Sequence, residues 1–144
     1  MYRLFILIAA LMFGWACEKQ FTQGNTLSAA GLLTQKEWRL ASYGYDDNKN
    51  GSIDPAEESA KDCEEDNTYL FRLNGSGNMY DNTLNCGNGN TDHAFNWKFI
   101  NNETGLDFVF GTVNILTLNA NELIVYYDTG NGNGTNRFMV IFRR

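Results

Sequence analysis

Residues 46–57 carry oxygen-bearing side chains at the spacing of a twelve-residue calcium-binding loop. Such a loop places oxygen ligands at positions 1, 3, 5, 7, 9 and 12, with glycine at the sharp turn of position 6. The matching residues are Asp46, Asn48, Asn50, Ser52 through its carbonyl, Asp54 and Glu57, with Gly51 at the turn and Ile53 as the apolar anchor. The sequence therefore predicts one Ca²⁺ site, and the alternative is a metal-free, solvated turn.

The surroundings of this loop predict a structural ion rather than a sensor. The loop follows a strand-like segment and contains Pro55, so the paired helices of a sensor are not expected. Nine carboxylates lie between Asp46 and Asp66, against only Lys49 and Lys61. A bound cation would order this acidic segment, which otherwise repels itself.

The chain begins with a pattern typical of an exported lipoprotein. Arg3 precedes the apolar run Leu4–Phe13, and Gly14-Trp15-Ala16 leads into Cys17. Ten apolar residues are too few to span a bilayer, so we predict a signal peptide over residues 1–16. Cys17 would then carry a diacylglycerol anchor, with residues 17–31 as lipidated cysteine and tether. The alternative is a soluble secreted protein with a free Cys17.

The three cysteines predict one disulfide bond. An exported protein pairs its thiols, and lipidation of Cys17 leaves Cys63 and Cys86. These two bracket a predicted hairpin whose turn lies near residues 74–77, so they face each other across an antiparallel pair. Such a bridge should stabilise the fold by about 3 kcal/mol. A metal pair or a redox dithiol is the alternative, although the chain has no C-x-x-C motif and only one histidine, His93.

No motif in the sequence indicates catalysis. His93 lies in a Gly/Asn-rich segment, and the chain lacks a G-x-S-x-G elbow, a phosphate-binding loop and an H-E-x-x-H zinc motif. We therefore expect a non-enzymatic protein, with a hydrolase of envelope glycans or lipids as a weaker alternative. The net charge of −6 argues against nucleic acid as a partner, since that requires a basic face.

The elements that must position these residues are strands, because apolar residues recur with a period of two from Trp38 onward. The strand-like runs cover residues 38–43, 68–73, 78–84, 94–100, 106–110, 113–118, 123–127 and 137–142, separated by Asn- and Gly-rich turns. Ser28 should cap one short helix before them. The pattern predicts a single all-β meander, closed as a barrel or folded as a sandwich.

Seven aromatic side chains alternate along these runs and are expected to face the interior. They are the candidate ligand-binding residues Trp38, Tyr69, Phe71, Phe95, Trp97, Phe99 and Phe108. They would line a ligand site only if the interior is hollow, and would otherwise form a filled core.

Two segments resemble the bacterial lipocalin-like domain found in lipoproteins. Residues 32–40 (Leu-Leu-Thr-Gln-Lys-Glu-Trp-Arg-Leu) are similar to the helix and tryptophan-containing strand that open this domain. Residues 62–71, 77–80 and Cys86 resemble its cysteine-bracketed hairpin. The resemblance covers residues 32–144 and implies an antiparallel up-and-down β-barrel of about eight strands that binds a small apolar molecule.

The sequence as a whole favours a lipocalin-like lipoprotein anchored to the outer membrane of the cell envelope, facing the periplasm or the surface. It would bind a small hydrophobic ligand and carry one calcium loop. The alternative is a filled barrel whose loops contact a protein or glycan partner. An apolar cavity of a few hundred Å³ would favour ligand binding.

Overall fold

A computed structural model of the chain describes residues 27–84, 86, 92–131 and 134–144. The predicted signal peptide and Cys17 lie outside these residues. Within the described part of the chain, no helix is long and apolar enough to cross a membrane.

The secondary structure consists of one short helix followed by nine strands. The helix is α1 (Ala29–Thr34), and the strands are β1 (Trp38–Asp46), β2 (Thr68–Phe71), β3 (Ser76–Tyr80), β4 (His93–Asn96), β5 (Lys98–Ile100), β6 (Gly105–Phe108), β7 (Gly111–Leu118), β8 (Glu122–Asn131) and β9 (Gly134–Arg143). A 3-10 helix, Asp62–Glu64, precedes β2. As predicted, Ser28 caps α1: its hydroxyl oxygen accepts a hydrogen bond from the Gly31 amide at 3.1 Å.

The strands form one antiparallel sheet in the order β4-β3-β2-β1-β9-β8-β7-β6-β5. Neighbours in the sheet are neighbours in sequence, except that β9 returns to pair with β1. The two ends of the sheet, β4 and β5, are separated in sequence only by Trp97. The sheet therefore curls into a nearly closed, meandering barrel, which confirms the predicted all-β barrel fold.

Strands β4 and β5 correspond to one predicted run, 94–100, that bends at Trp97. Its first half pairs with β3 and its second half with β6. At the bend, the Trp97 amide donates to the Gly75 carbonyl at 2.8 Å, and its indole N–H donates to the Arg72 carbonyl at 3.0 Å. Counted as one bent strand, this segment makes the barrel eight-stranded, in agreement with the expectation of about eight.

One end of the barrel is closed by α1 and filled with side chains. Leu33 of α1 is fully buried, and its carbonyl accepts from the Trp38 indole at 2.9 Å. The Arg144 guanidinium lies 3.7 Å from the Trp38 ring centroid and donates to the Leu32 carbonyl at 2.7 Å. Further inside the barrel, Phe71 contacts the rings of Phe95, Trp97 and Phe108 at centroid distances of 5.3, 5.8 and 5.7 Å.

The opposite faces of β8 and β9 explain why their sequences are apolar on both sides. Their inward residues include Val125 and Val140, which belong to the main core. Their outward residues Ile124, Met139 and Ile141 form a second cluster, against which Ile53 of the acidic loop packs. The loop is therefore the outer cover of the barrel at this point.

The sequence predicted the third strand too far toward the C-terminus. The run 78–84 was expected after a Gly75-Ser-Gly77 turn, whereas β3 spans Ser76–Tyr80. The turn lies earlier, over residues 72–75: the Gly75 amide donates to the Arg72 carbonyl at 2.9 Å, and Gly75 takes the positive φ of 82° that returns the chain to the sheet. Gly77 is already part of the strand, opposite Phe71, where the Phe95 ring occupies the space that a Cβ atom would need.

Candidate functional site

The end of the barrel opposite α1 is open and contains a cavity of about 460 Å³. This volume lies in the range of small-molecule sites, which are mostly 300–1,000 Å³. Most of its wall is apolar or aromatic: Leu40, Tyr43, Tyr69, Met79, Phe110 and Phe138. We call this space the mouth cavity.

A β-bulge explains why β1 contributes two neighbouring walls to the mouth cavity. The pairing of β1 with β9 shifts register between Leu40 and Ser42. The extra residue reverses the alternation, so both Leu40 and Tyr43 contact the interior cluster, although an unbroken strand would turn them to opposite faces. The bulge thus places the Tyr43 hydroxyl at the opening.

Three polar side chains, Glu64, Asn67 and Asp81, also line the mouth cavity. The Tyr43 hydroxyl donates to Glu64 Oε2 at 2.7 Å, and the Lys61 amide donates to the same oxygen at 3.1 Å. Asn67 is only 8% exposed, and no donor among the described residues reaches its Oδ1. A buried oxygen without a donor costs about 1–3 kcal/mol, and this atom is covered by the protein rather than exposed to the cavity.

The hydroxyl groups of the mouth cavity lie in a partly buried, negatively charged environment. Burial, the hydrogen bond to Glu64 and the charges of Glu64 and Glu58 raise the pKa of Tyr43 to about 12. Burial raises the pKa of Tyr69 further, with added contributions from Glu64, Tyr43 and Asp81. Both tyrosines are therefore neutral hydrogen-bonding groups at physiological pH.

Of the seven predicted interior residues, only Tyr69 lines the mouth cavity. Trp38, Phe71, Phe95, Trp97, Phe99 and Phe108 all belong to the packed core. Leu40, Phe110 and Phe138 lie in predicted strands but were not among the predicted interior residues, and the sequence did not separate the hollow half of the barrel from the filled half. Glu64 and Asn67 lie before β2 in the acidic segment, and no sequence pattern marked them as part of the site.

Two other depressions on the barrel are less suited to an apolar ligand. One, of about 420 Å³, lies outside the α1 end between Arg39, Glu65 and Arg143. The other, of about 700 Å³, is a shallow surface region beside Asp62 and Thr83. Both are lined largely by polar or charged side chains and neither contains the interior aromatic residues.

The predicted Cys63–Cys86 disulfide is confirmed. The two Cα atoms are 5.2 Å apart, and the bridge joins the 3-10 helix to the segment after β3. Because Glu64 follows Cys63 directly and Cys86 itself lines the mouth cavity, the bridge holds the polar side of the opening in place.

The acidic loop folds around the oxygen atoms that the calcium pattern singled out. Both oxygens of the fully buried Asp46 carboxylate accept backbone N–H groups, from Asn50 and Gly51, at 3.0 Å. The Oδ1 atom of Asn48 accepts from the Asn50 amide at 2.9 Å. The Ser52 amide in turn donates to Asn50 Oδ1 at 2.8 Å, and Gly51 has a φ of 83°.

The second half of the loop is closed by its last two carboxylates. Asp54 Oδ2 accepts from the Asn48 amide side chain at 3.0 Å. The two oxygens of Glu57 accept the backbone N–H groups of Asp47 and Asp54 at 3.1 and 3.0 Å. The predicted ligands are thus gathered in one loop and bridged to one another through loop hydrogen bonds.

The oxygen-only composition of this set fits a hard cation such as Ca²⁺, and each carboxylate oxygen retains lone-pair capacity beyond the hydrogen bond it accepts. The donor chemistry of Asp46, Asn48, Asn50, Ser52, Asp54 and Glu57 therefore suits the ion. However, within the described parts of the chain, no three His, Cys, Asp or Glu side chains converge as a metal-binding group. The calcium site stays a prediction.

The loop is fixed to the barrel by its backbone. The Tyr45 amide donates to the Glu57 carbonyl at 3.3 Å, and the Ser59 amide donates to the Tyr43 carbonyl at 2.8 Å. Gly44 lies between them, where any Cβ atom would clash with the Glu57 carbonyl oxygen. The end of the loop thus pairs with the free edge of β1 that β2 does not cover.

The remaining predicted site residue, Cys17, lies outside the described residues. Comparison of the chain with known protein families, with curated proteins and with solved structures finds no match.

Proposed function

We propose that this protein is a non-enzymatic, lipocalin-like binding protein that holds a small, largely apolar molecule in the mouth cavity. The observation that carries the proposal is the cavity itself: about 460 Å³ of space at one end of an otherwise packed barrel. Apolar walls favour transfer of a ligand's apolar surface from water, at about 25 cal/mol per Å² buried.

The direct test is binding of the neutral apolar dye N-phenyl-1-naphthylamine to the full chain, measured by its fluorescence. We expect saturable binding that is lost in Met79→Trp, because Met79 lines the cavity and a larger ring would fill it. Leu73→Trp is the matched control, since Leu73 is 76% exposed and lies away from the opening. Equal binding by both variants would place the dye elsewhere and overturn the proposal.

We further propose that the acidic loop binds one structural Ca²⁺ through the six residues assigned to it. The support is the loop's oxygen-rich composition and the burial of the Asp46 carboxylate, which is fully covered. The ion would supply positive charge to a segment of high acidic density and hold Ile53 against the outer cluster.

This calcium proposal is tested by thermal unfolding of the full chain in EDTA and in millimolar Ca²⁺. A ligand that binds only the folded state raises its stability by about 2.7 kcal/mol at 100 times its Kd, so we expect a midpoint several degrees higher in Ca²⁺. The shift should vanish in Glu57→Gln and persist in Glu65→Gln, which removes a charge outside the loop. Identical midpoints in both solutions would mean that the loop is an ion-free turn.

An envelope location by a lipid on Cys17 is part of the same proposal, and its support is the sequence of residues 1–17. Mass spectrometry of the protein purified from membranes should find a diacylglyceryl group on Cys17. A mature chain without that group, or one that retains residues 1–16, would remove the anchor.

One observation favours the hydrolase alternative: the carboxylates of Glu64 and Asp81 both line the opening of the cavity. Glu64 already accepts two hydrogen bonds from within the protein, which favours a positioning role in binding over proton transfer. Hydrolysis of nitrophenyl glycosides or esters by the wild-type chain, abolished in Glu64→Gln, would favour the enzyme instead.

A further inference from the structure

We infer that the ligand of the mouth cavity is an uncharged alcohol, an apolar body with a hydroxyl head group that binds the hydroxyl of Tyr69. This inference rests on the proposed binding function and narrows it from apolar molecules in general to one head group. It is carried by a buried tyrosine hydroxyl without a hydrogen-bond partner and by the polar groups that line the same cavity.

The side chain of Tyr69 is buried, yet its hydroxyl is unpaired. Tyr69 is only 2% exposed and lines the mouth cavity. Within the described parts of the chain, no group forms a hydrogen bond with its hydroxyl. The protein does seal off unpaired polar atoms elsewhere, on Asp66, Asn67, Arg137 and Arg144, but the Tyr69 oxygen is not one of them. This hydroxyl can therefore be reached from the cavity.

The ring of Tyr69 is held in place by its neighbours. Its centroid lies 5.0 Å from that of Phe142, which is fully buried, and 5.9 Å from that of Phe110, which lines the cavity. Met79 is the cross-strand partner of Tyr69 and lines the cavity as well. The hydroxyl is therefore a donor whose position is fixed before a ligand arrives, which lowers the cost of binding.

The polar lining residues lie within electrostatic reach of this hydroxyl. Burial raises the pKa of Tyr69, and Glu64, Tyr43 and Asp81 raise it further. All three of these residues line the mouth cavity. The Tyr69 hydroxyl thus keeps its proton at neutral pH and is available to donate it in a hydrogen bond.

A ligand without an acceptor would leave the Tyr69 hydroxyl buried and unsatisfied. Water can pair with such a group while the cavity is open to solvent, and an apolar ligand displaces that water. Loss of this hydrogen bond without replacement opposes binding. The ligand should therefore place an acceptor atom next to Tyr69.

Among simple head groups, a hydroxyl fits this position best. A protonated amine has donors but no acceptor. A carboxylate accepts, but its charge would oppose that of Glu64, and none of the described lining residues is basic. A hydroxyl accepts from Tyr69 without adding charge. Its own proton has acceptors in the same wall, since the Tyr43 oxygen, whose proton goes to Glu64, and the Glu64 carboxylate both keep lone pairs.

The test compares 4-phenylbutan-1-ol with n-butylbenzene, which has the same apolar body and no head group, in wild type and Tyr69→Phe. Affinities for the full chain are measured by displacement of the naphthylamine dye, and that of the alcohol also by titration calorimetry. We expect Tyr69→Phe to lower the ratio of alcohol to hydrocarbon affinity about fivefold, the change expected for one lost hydrogen bond.

Two controls assign this change to the Tyr69 hydroxyl. Tyr127→Phe removes a hydroxyl from a lining residue that is 36% exposed, where water remains available, and should leave the ratio unchanged. Tyr69→Phe keeps the ring and breaks no hydrogen bond of the described residues, so its thermal midpoint should not fall. A lower midpoint would show that the hydroxyl has a partner in the protein, which would overturn the inference.

A second measurement uses the wild type alone. The ratio of alcohol to hydrocarbon affinity should exceed the ratio of their water-to-alkane partition coefficients at least about tenfold, because an alkane offers the hydroxyl no partner. Equal ratios would mean that the head group stays unpaired in the cavity. The charged analogues 4-phenylbutyrate and 4-phenylbutylamine should both bind more weakly than the alcohol.

The outcomes separate the two proposals. If the dye and both uncharged ligands bind, but the ratio is the same in wild type and Tyr69→Phe, the cavity is a binding site and the assignment of its head group is wrong. If neither the dye nor the alcohol binds, the binding function itself is wrong. If the acid or the amine binds more tightly than the alcohol, the ligand is not an uncharged alcohol.

Discussion

At the scale of single residues, the hydrogen bond between Tyr43 and Glu64 joins the barrel wall to the acidic segment. It is 2.7 Å long and links β1 to the 3-10 helix. The two residues are 21 positions apart in sequence. Because the hydroxyl is neutral when it donates, ionisation of Tyr43 would set two negative charges against each other. Ionisation of the Tyr43 hydroxyl at alkaline pH therefore breaks this contact.

We predict a loss of stability above pH 10 that reports on the Tyr43 hydroxyl. Its pKa is raised from 10.0 to about 12 in the folded protein, so its contribution is complete below pH 10 and falls away as the pH approaches 12. Urea unfolding at a series of pH values should show this decline. Tyr43→Phe should show a smaller decline, with the remainder due to Tyr69, whose pKa is also raised.

Absorbance of tyrosinate provides the second measurement of the same prediction. Subtracting the alkaline titration of Tyr43→Phe from that of the wild type isolates the Tyr43 transition. A transition near pH 10 in the folded protein would contradict the hydrogen bond between Tyr43 and Glu64.

Sequence reasoning at the residue scale succeeded where a residue's role is local. Ser28, Gly51 and the cysteine pair act through neighbours or through a simple pairing, and the structure has them in those roles. It missed Glu64 and Asn67, because their role depends on which wall of the barrel the acidic segment reaches. Their sequence neighbours are equally acidic or polar, so no spacing distinguishes them.

At the scale of elements, the segment from the loop to β2 is the part of the molecule that depends most on cross-links. Between Asp47 and Asn67 its regular structure is one 3-10 turn and an isolated bridge from Glu58 to Gly44. The disulfide ties this segment to the chain after β3, across a sequence separation of 23 residues. The polar side of the mouth cavity is therefore held by covalent closure as well as by packing.

We predict that the Cys63→Ser/Cys86→Ser variant loses about 2–4 kcal/mol of unfolding free energy, measured by urea denaturation. We also expect weaker binding of the naphthylamine dye, because the bridge fixes the wall that contains Glu64 and Asn67. A reducing agent should reproduce both effects in the wild type and change nothing in the variant. An unchanged midpoint on reduction would show that the barrel alone fixes this segment.

The strands themselves were largely predictable, since all eight runs correspond to strands of the barrel. The bend at Trp97 was not, because the alternation of Phe95, Trp97 and Phe99 continues through it without a break. The full lengths of β8 and β9 were also missed: residues 130–134 read as a glycine-rich turn, yet the strands continue to Asn131 and start again at Gly134. Backbone pairing with a neighbour extended them where side-chain periodicity gave no signal.

At the scale of the whole molecule, backbone pairing is unevenly distributed around the barrel. Strand β9 pairs with β8 along its whole length and with β1 from Arg137 to Arg143, while β4 pairs with β3 alone and β5 with β6 alone. Amides in doubly paired, buried strands exchange with solvent only through the larger opening events.

We therefore predict that hydrogen exchange measured by mass spectrometry is slowest in β9 and the facing parts of β1 and β8. Exchange should be fastest, among the strands, in β4 and β5. Peptides covering β6 and β7 serve as the internal reference with intermediate pairing. Protection of β4 and β5 equal to that of β9 would mean that the seam at Trp97 opens only when the whole barrel unfolds.

The pattern of successive strands predicted the barrel, but it did not predict that one half of the barrel is filled and the other half is hollow. Both halves are built from alternating aromatic residues, and only their relative positions decide which rings touch. Phe71 contacts three other rings in the filled half of the barrel. Tyr69 lies two residues earlier on the same face of β2 and lines the mouth cavity. Such volume matching across a barrel is a three-dimensional property that one sequence does not display.

The position of β9 between β1 and β8 also sets the order in which this chain can fold during synthesis. Arg39 pairs with Arg143, so the first strand lacks one neighbour until residues 134–144 have left the ribosome. Until then β1 and β8 each present an unpaired edge, the kind of edge that promotes aggregation. Closure of the barrel therefore waits until β9 has been synthesised, and until then the chain stays open to chaperones and to any machinery that threads unfolded polypeptides.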